Sequence, residues 1–348
     1  MGDAKTQPKK TMHITVDHNL DEVVKKKVAV SAEISGKNEK GKIDFHELKS
    51  GGFIKQRQKD KFTVRLRCPS GRMEVSKLKQ VAESAEKFGG KYVHFTVRQS
   101  LEIPYVDYHN FAPLIEELKT VGQDVASCGP RVRVPNACGG CEYNPNGLVD
   151  AAKISDAVNV KFFGMRTAHK FKSSFSACPI DCMRTTEADL GMMGAVFPKW
   201  DEDKCTGCTI CASACTEDAI KAHPETGKPI FTPDNCVYCA DCIRACPTFS
   251  WTADKTGHNM RVGGRHGRHP LGSTMVARFL TDEEALTAIE ATIKWYQKAG
   301  EGKGRIRIGE ILRQEGQMGS LMEALKTAVG PEKLVKNPEP PTETYVSR

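Results

Sequence analysis

Residues 205–247 read CTGCTICASACTEDAIKAHPETGKPIFTPDNCVYCADCIRACP and hold eight of the fourteen cysteines of the chain. The spacing Cys-x2-Cys-x2-Cys-x3-Cys occurs twice in this stretch. Three thiolates so spaced bind one iron–sulfur cube, and the fourth cysteine of each run binds the other cube. The stretch predicts a two-cluster ferredoxin unit; zinc is the alternative. One cluster is expected on Cys205, Cys208, Cys211 and Cys246, and the other on Cys236, Cys239, Cys242 and Cys215.

The composition is that of a globular protein, with 39% hydrophobic and 27% charged residues in 348. No apolar run reaches the length of a membrane span, and the N-terminus lacks the apolar core of a signal peptide. These features predict a cytoplasmic protein, in which thiols stay reduced and clustered cysteines indicate metal binding.

The net charge of +8 indicates a solvated basic surface or a basic pocket for an anionic cofactor or substrate. The basic residues are not interleaved with aromatic residues along one stripe, so nucleic acid is not the expected partner.

The region before the cysteines has an alternating and then a helical apolar pattern. Residues 62–67 alternate like a strand, a helix with an apolar face follows, and 92–97 and 101–106 read as two more strands before a helix from Phe111. The order β-α-β-β-α predicts an α+β layer with helices on one face of a mostly antiparallel sheet. Residues 1–58 are lysine-rich and are expected to form a polar extension.

The region after the cysteines begins with a Gly- and Arg-rich loop. A helix is predicted to start at Thr281-Asp-Glu-Glu284, a capping-box pattern. Its buried face is expected to hold Leu286, Ile289, Ile293 and Tyr296. The proline-rich tail from residue 331 is expected to be extended.

A second group of four cysteines is formed by Cys138-Gly-Gly-Cys141 and Cys178-Pro-Ile-Asp-Cys182. Two pairs of thiolates suit another cubane. Lys170 and Lys172 precede the second pair and point to one face of a predicted strand. The ordinary interpretation of such a pair is two solvated surface lysines. The alternative is that the two lysines converge with arginines beside a metal cluster and form an anion cage.

The pattern resembles the sirohaem sulfite and nitrite reductase superfamily over about residues 60–320. The resemblance lies in Thr96-Val-Arg-Gln99, Arg133 ahead of a cysteine pair, Lys170-Phe-Lys172 and the Cys178-x3-Cys182 run. The layout is most similar to dissimilatory sulfite reductases and to the anaerobic sulfite reductase subunit of C type, which carry a ferredoxin domain after the Cys-x3-Cys run.

The resemblance implies sirohaem bridged to a [4Fe-4S] cluster, which gives three such clusters in all. It assigns Cys182 as the bridging thiolate and Cys138, Cys141 and Cys178 as the other ligands. It implies that the substrate oxyanion is bound by Arg98, Arg133, Lys170 and Lys172. The loop 261–269 resembles a segment that wraps the carboxylates of the macrocycle, through Arg261, Arg265 and Arg268; an ordinary flexible loop is the alternative.

One departure from the family concerns the first cysteine pair. Only two residues separate Cys138 from Cys141, where the family has five. Three interpretations are open. The short link closes a cluster, as Cys-x2-Cys does in ferredoxins. Alternatively, Cys128 replaces one ligand, or the sirohaem is held differently. Cys68 and Cys128 are otherwise interpreted as buried structural thiols.

The expected fold class is α+β: a ferredoxin-like half-domain plus a sirohaem/[4Fe-4S] α/β domain with an inserted two-cluster ferredoxin domain. After the extension, the predicted units are a half-domain at 59–125, the first part of the sirohaem/[4Fe-4S] domain at 126–198, the ferredoxin domain at 199–249, a sirohaem-binding second half-domain at 250–330 and the tail at 331–348.

The expected function is six-electron reduction of sulfite to sulfide, of dissimilatory or anaerobic type. Nitrite reduction on the same scaffold is one alternative. A non-catalytic iron–sulfur subunit of a reductase complex is another, and a radical enzyme lacks its usual cysteine run. No flavin or nicotinamide fingerprint is present, so the expected partner is an electron-donor protein or subunit, within an oligomer or hetero-complex.

Overall fold

A computed structural model of the protein describes residues 45–344. The elements of its N-terminal part are α1 (Phe45–Ser50), β1 (Phe53–Lys55), β2 (Lys61–Arg65), α2 (Val75–Phe88), β3 (His94–Phe95), β4 (Leu101–Asp107) and α3 (Phe111–Thr120). The four strands form one antiparallel sheet in the order β1-β2-β4-β3.

One apolar core joins this sheet to its two long helices. Val81 of α2 and Leu114 of α3 are fully buried against Val64 and Ile103 of the sheet. Apolar side chains at helical spacing and at alternate strand positions therefore meet in one layer. The predicted β-α-β-β-α order is present, with the helix α1 and the strand β1 in front of it.

The polar extension predicted for residues 1–58 is wrong over residues 45–55. Leu48 of α1 is buried, and the ring of Phe53 in β1 packs on Phe111 with 4.3 Å between the centroids. A few apolar residues placed among lysines thus add a helix and an edge strand. Residues 1–44 lie outside the described part.

The strand predicted at residues 92–97 is reduced to the two residues of β3. Gln99 has a φ of 60°, and the tight turn at Gln99 separates β3 from β4. β3 is an edge strand, and Phe95 and Val97 are exposed. The alternation of apolar residues at 92–97 therefore did not give a longer strand, because β3 has a partner strand on one side only.

The larger sheet has five strands. Its elements are β5 (Asn136–Ala137), α4 (Ala151–Phe162), β6 (Ser173–Ser176), β7 (Leu190–Trp200), β10 (Trp251–Val262) and β12 (Thr274–Leu280). The strand order is β12-β10-β7-β6-β5. β5, β6 and β7 run parallel, whereas β7, β10 and β12 are antiparallel.

The C-terminal helices close the core of this sheet. They are α7 (Asp282–Ala299), α8 (Ile308–Leu312) and α9 (Gln317–Val329). The capping box at Thr281 is confirmed, since its hydroxyl accepts from the Glu284 N–H at 3.2 Å and the Glu284 carboxylate accepts from the Thr281 N–H at 2.8 Å. Of the expected apolar face, three residues are fully buried and Leu286 is only partly buried.

The tail from residue 331 returns to the domain. Leu334 bridges to Ala277 of β12, and a short strand β13 (Thr342–Glu343) pairs with β11 (Leu271–Gly272). No helix within residues 45–344 is long and apolar enough to cross a membrane.

The cysteine-rich stretch is inserted at the tip of the β7–β10 hairpin. Trp200 pairs with Trp251, and the Asp201 N–H donates to the Ser250 carbonyl at 2.8 Å. Residues 201–250 thus leave the sheet and return to it at neighbouring strand ends. They form α5 (Ile210–Ala214), β8 (Ile220–Ala222), β9 (Pro229–Phe231) and α6 (Asp241–Ala245).

Replacement of residues 202–249 by Asn-Gly should leave the five-stranded sheet folded, because Asn-Gly closes a two-residue hairpin. We expect one cooperative thermal transition by circular dichroism and protection of β7 and β10 amides in hydrogen exchange. As the control, removal of residues 196–255 also deletes paired residues of both strands and should abolish the transition. Loss of amide protection in the first variant would contradict the hairpin insertion.

Candidate functional site

The second cysteine group lies at the carboxyl ends of two parallel strands. β5 leads into Cys138 and β6 leads into Cys178, so the two residues emerge at the same edge of the sheet. The Cys138 thiol accepts the Ala177 N–H at 3.1 Å. Burial raises the pKa of the Cys178 thiol, and the neighbouring Cys138 and Cys182 raise it further. These three thiols therefore share one site.

The loop between Cys178 and Cys182 is shaped by Asp181. Its carboxylate accepts the Ser176 hydroxyl at 2.8 Å and the Thr185 N–H at 2.9 Å. This carboxylate ties the loop to the end of β6 and leaves Cys182 exposed.

Cys141 lies in a short 3₁₀ turn and is exposed. The turn packs on Gly147, where a Cβ would lie 2.6 Å from the Cys141 Cα, so only glycine fits at position 147. The short Cys138–Cys141 link thus folds as a tight turn above the strand ends.

The eight cysteines of the insert line two cavities. The first is lined by Cys205, Cys208, Cys211 and Cys246, and the second by Cys215, Cys236, Cys239 and Cys242. The last cysteine of each run is thus found with the other run, which is the crossed arrangement expected for two cubanes.

The thiols of the second cavity suit a cluster whose iron–sulfide core is positively charged. Burial, together with the neighbouring Cys236 and Cys239, raises the pKa of Cys242 to about 12. Thiolates grouped there need positive charge, which bound iron supplies. Within residues 45–344, no three His, Cys, Asp or Glu side chains converge as ligands of a single metal ion; the thiols surround cavities instead.

The four predicted anion ligands converge with one another. Burial is the main cause of their lowered pKa values, and the positive charges of the group add to it. Arg133 lowers the pKa of Arg98 and the pKa of Lys170. Arg98 and Lys170 both lower the pKa of Lys172. We call Arg98, Arg133, Lys170 and Lys172 the cationic cage. Within residues 45–344, none of these side chains forms an ion pair with a carboxylate.

The arginines of the cage are held by backbone carbonyls and by one sulfur atom. Arg98 donates to the Val134 carbonyl at 2.8 Å, and the neighbouring Gln99 side chain both donates to and accepts from the Ala137 backbone. Arg133 donates to the Ser127 carbonyl and to the Cys128 sulfur. The guanidinium charges are thus fixed in place without being neutralised.

Burial and mutual repulsion hold the cage cations below their ordinary pKa values. Burial is the main cause for all four; it lowers the pKa of Arg98 to about 10 and that of Lys172 to about 8. Burial and then Lys170 lower the pKa of the adjacent His169 to about 4, so it is neutral at pH 7. An anion placed among these groups relieves their repulsion, so the cage is suited to bind one.

Three charged residues beside the cage, Asp189, Arg307 and Arg65, had no signal in the sequence. Asp189 is fully buried, and the guanidinium of Arg307 binds it at 2.7–2.9 Å. Arg65 pairs with Glu102 and donates to the sulfur of Cys128 at 3.0 Å. Cys128 is buried, as predicted for a structural thiol, and it receives two guanidinium donors. The three charged residues lie outside any recognisable motif, and only the tertiary fold brings them to the cage.

The Gly- and Arg-rich loop is anchored on both sides. The Gly263 N–H donates to the Asp189 carbonyl, and the backbone of Arg265 exchanges hydrogen bonds with Leu271. Arg261 donates to the Ser273 carbonyl, and Arg265 pairs with Glu310. Arg268 is exposed. The interpretation of residues 261–269 as a freely flexible loop does not fit these contacts.

The cage and the cysteine group occupy opposite ends of the same strands. Arg98 donates to the carbonyls of Val134 and Ser173, near the amino ends of β5 and β6. Lys172 precedes Cys178 by six residues, most of them in extended β6, which separates their Cα atoms by about 15–20 Å. The sequence predicts the cage beside the cluster, whereas within one chain the two groups lie apart because β6 runs between them.

Two family models match most of the part of the chain that carries these residues. The family described as nitrite and sulphite reductase 4Fe-4S domain matches residues 128–328, and the nitrite/sulfite reductase ferredoxin-like half domain matches residues 54–121. The chain therefore belongs to the nitrite and sulfite reductase family, and to the sirohaem superfamily that the sequence resembled. The family implies sirohaem and an iron–sulfur cluster.

Two relatives and one solved structure are particularly informative. Over 315 residues the chain is 27% identical to the coenzyme F420-dependent sulfite reductase of Methanocaldococcus jannaschii, a match covering 88% of this chain and 50% of that protein. It is 24% identical to the C-type subunit of the anaerobic sulfite reductase of Salmonella typhimurium, over 58% of this chain and 64% of the other. The crystal structure of dissimilatory sulfite reductase I superposes with a TM-score of 0.64 at 18% identity, covering 83% of this chain and 73% of that one.

The chain spans about half the length of the Methanocaldococcus relative and about two thirds of the Salmonella one. The structural match at 18% identity establishes the fold. Mixed α/β structure, a ferredoxin-like half domain and a 4Fe-4S domain are thus confirmed.

The affinity of the cage for inorganic sulfate should fall as the pH rises past about 8. Lys172 is charged below its folded pKa of about 8 and loses its proton above it, so the dianion loses one cation. We expect roughly tenfold weaker binding at pH 9 than at pH 7, by calorimetry at constant ionic strength.

Lys172→Met should bind sulfate more weakly and show no step near pH 8. Lys79→Met, on the exposed surface of α2, is the matched control and should keep the step. A profile of the unsubstituted protein that stays level to pH 9 would contradict this assignment.

Proposed function

We propose that this chain is the catalytic subunit of a sirohaem-dependent sulfite reductase that reduces sulfite to sulfide with six electrons. The observation that carries the proposal is the cationic cage, in which four cations converge without a carboxylate partner among the described residues. A buried group of like charges is retained at a cost in stability, which a bound anion offsets. The family relationship supplies the class of reaction.

The four positive charges of the cage favour sulfite, a dianion, over nitrite, a monoanion. A dianion with three oxygen atoms uses two arginines and two lysines more fully than a monoanion does. Nitrite reductases are also among the relatives, including the NAD(P)H enzyme of Bacillus subtilis at 26% identity over 43% of this chain. Nitrite reduction is therefore the second candidate, and the relative turnover of the two anions distinguishes them.

The cysteine residues fit the cofactors that the family implies. Cys138, Cys141, Cys178 and Cys182 would hold a [4Fe-4S] cluster, with Cys182 bridging to sirohaem. The two cavities of the insert would hold two further clusters, which makes residues 199–249 a ferredoxin domain for electron entry from a donor protein or subunit. Bound sirohaem would supply the one-electron redox chemistry that the reduction of the anion requires.

The residues of the cage would bind and protonate the anion. Arg98 and Arg133 keep their charge at all physiological pH values and orient the oxygen atoms. Lys172, with a pKa of about 8, gives up a proton more readily than an ordinary lysine and is the better donor when oxygen leaves as water. Arg261, Arg265 and Arg268 would bind the carboxylates of the macrocycle.

We further propose that one copy of the chain supplies the cage and a second copy supplies the cysteines for each sirohaem. The distance of about 15–20 Å along β6 separates the two groups within a chain. One sirohaem held by both groups would need them closer together than that, and two copies related by a two-fold axis would bring the cage of one to the cysteines of the other.

Anaerobically purified protein should release sirohaem into acidic acetone and contain about 13 irons per chain, from three cubanes and one sirohaem. Cys182→Ser should lose the tetrapyrrole, whereas Cys68→Ser, at a buried cysteine outside both groups, is the control and should retain it. About 12 irons and no tetrapyrrole in fully loaded protein would make the chain an electron-transfer subunit.

Co-expression of Lys172→Ala and Cys182→Ser chains tests the shared site. A mixed dimer carries one site with an intact cage and intact cysteines, so it should recover about half of the activity of the unsubstituted dimer. Each variant alone is the control and should be inactive. Mixed dimers as inactive as either control would show that each chain builds its own site.

A further inference from the structure

One buried ion pair, Asp189–Arg307, acts on every member of the cationic cage. In addition to burial and the repulsion among the cage cations, Asp189 raises the pKa of all four cage residues. Arg307 lowers the pKa of the same four residues. The two buried charges therefore oppose each other throughout the cage.

The contacts of Asp189 connect this pair to the backbone of the cage. One carboxylate oxygen accepts the Lys172 N–H at 2.9 Å, while Arg307 donates to both oxygens. The carbonyl of Lys172 accepts the Leu190 N–H at 3.1 Å. Lys172 is therefore held on both sides by the start of β7.

A second carboxylate, that of Glu310, extends the connection to the Gly- and Arg-rich loop. Glu310 accepts the Arg307 N–H at 2.8 Å with one oxygen and pairs with Arg265 through the other. A continuous set of hydrogen bonds thus runs from Arg265 through Glu310, Arg307 and Asp189 to Lys172.

We propose that the buried Asp189–Arg307 pair is a positioning element that fixes Lys172 in the cage and sets the pH at which Lys172 gives up its proton. Neither residue is needed as a direct ligand of the anion. The inference deepens the proposed function and rests on it only for the identity of the anion.

Two opposite shifts follow from removing one charge at a time. Asp189→Asn leaves the Arg307 charge unpaired beside Lys172, so the pKa of Lys172 should fall below about 8. Arg307→Gln leaves the Asp189 charge unpaired, so the same pKa should rise. The double variant removes both charges and should bring the pKa back close to its original value.

The charged groups that act on Lys172 are Arg98, Arg307, Asp189 and Lys170. Arg98 and Lys170 are unchanged in all three variants. Opposite shifts in the two single variants therefore separate the charge of the pair from a general loosening of the fold, which would move both in the same direction.

The experiment is competitive acetylation of the full-length holoprotein with trace acetic anhydride from pH 6 to pH 11. The extent of modification of Lys172 is read by mass spectrometry, with exposed Lys79 as the internal control. We expect a half-point near pH 8 in the unsubstituted protein, lower by about one unit in Asp189→Asn and higher in Arg307→Gln. Circular dichroism checks that each variant is folded.

Unchanged half-points, or shifts of the same sign in both single variants, would overturn the proposal. If Asp189→Asn does not fold, the rise in Arg307→Gln and its reversal in the double variant still decide the question. The labelling needs no sulfite and no turnover, so a failure of the proposed function leaves this result readable.

Discussion

The repulsion among buried cations is the constraint on which this site depends. Holding Lys172 at a pKa of about 8 disfavours its charged form by about 3 kcal/mol relative to a solvated lysine. The fold tolerates this because neutral carbonyls hold the two cage arginines and one buried carboxylate, Asp189, offsets part of the charge. An anion among these cations would offset this unfavourable energy, which is the physical argument for the proposed anion site.

Parallel strand pairing determines where the two functional groups lie. Because β5 and β6 run in the same direction, their amino ends gather Arg133 and Lys172, and their carboxyl ends gather Cys138 and Cys178. β6 pairs with β7 on one side and β5 on the other, and its serines are buried. The same short strands that order each group also keep the two groups apart, which is why a second copy is needed in the proposed site.

Local patterns predicted the helices, the capping box at Thr281 and the crossed cysteine sets, because each depends on spacing along the chain. The sequence did not reveal α1 and β1, where isolated apolar residues such as Phe53 stand among lysines. Asp189 and Arg307 were also missed, since they are 118 residues apart and meet only in the folded core. The separation of the cage from Cys178 likewise follows from strand direction, which residue spacing does not specify.

The hairpin insertion places the cysteine-rich insert on the same sheet as the cationic cage. Residues 201–250 join the sheet at the Trp200–Trp251 pair, so their internal geometry is free of the register of β7 and β10. The two strands are nevertheless continuous with the core, and the N–H of Leu190, the first residue of β7, donates to the carbonyl of Lys172. The insert therefore lies at one end of a strand whose other end holds the cage in place. The antiparallel β7–β10 pair therefore ties the position of the insert to the core.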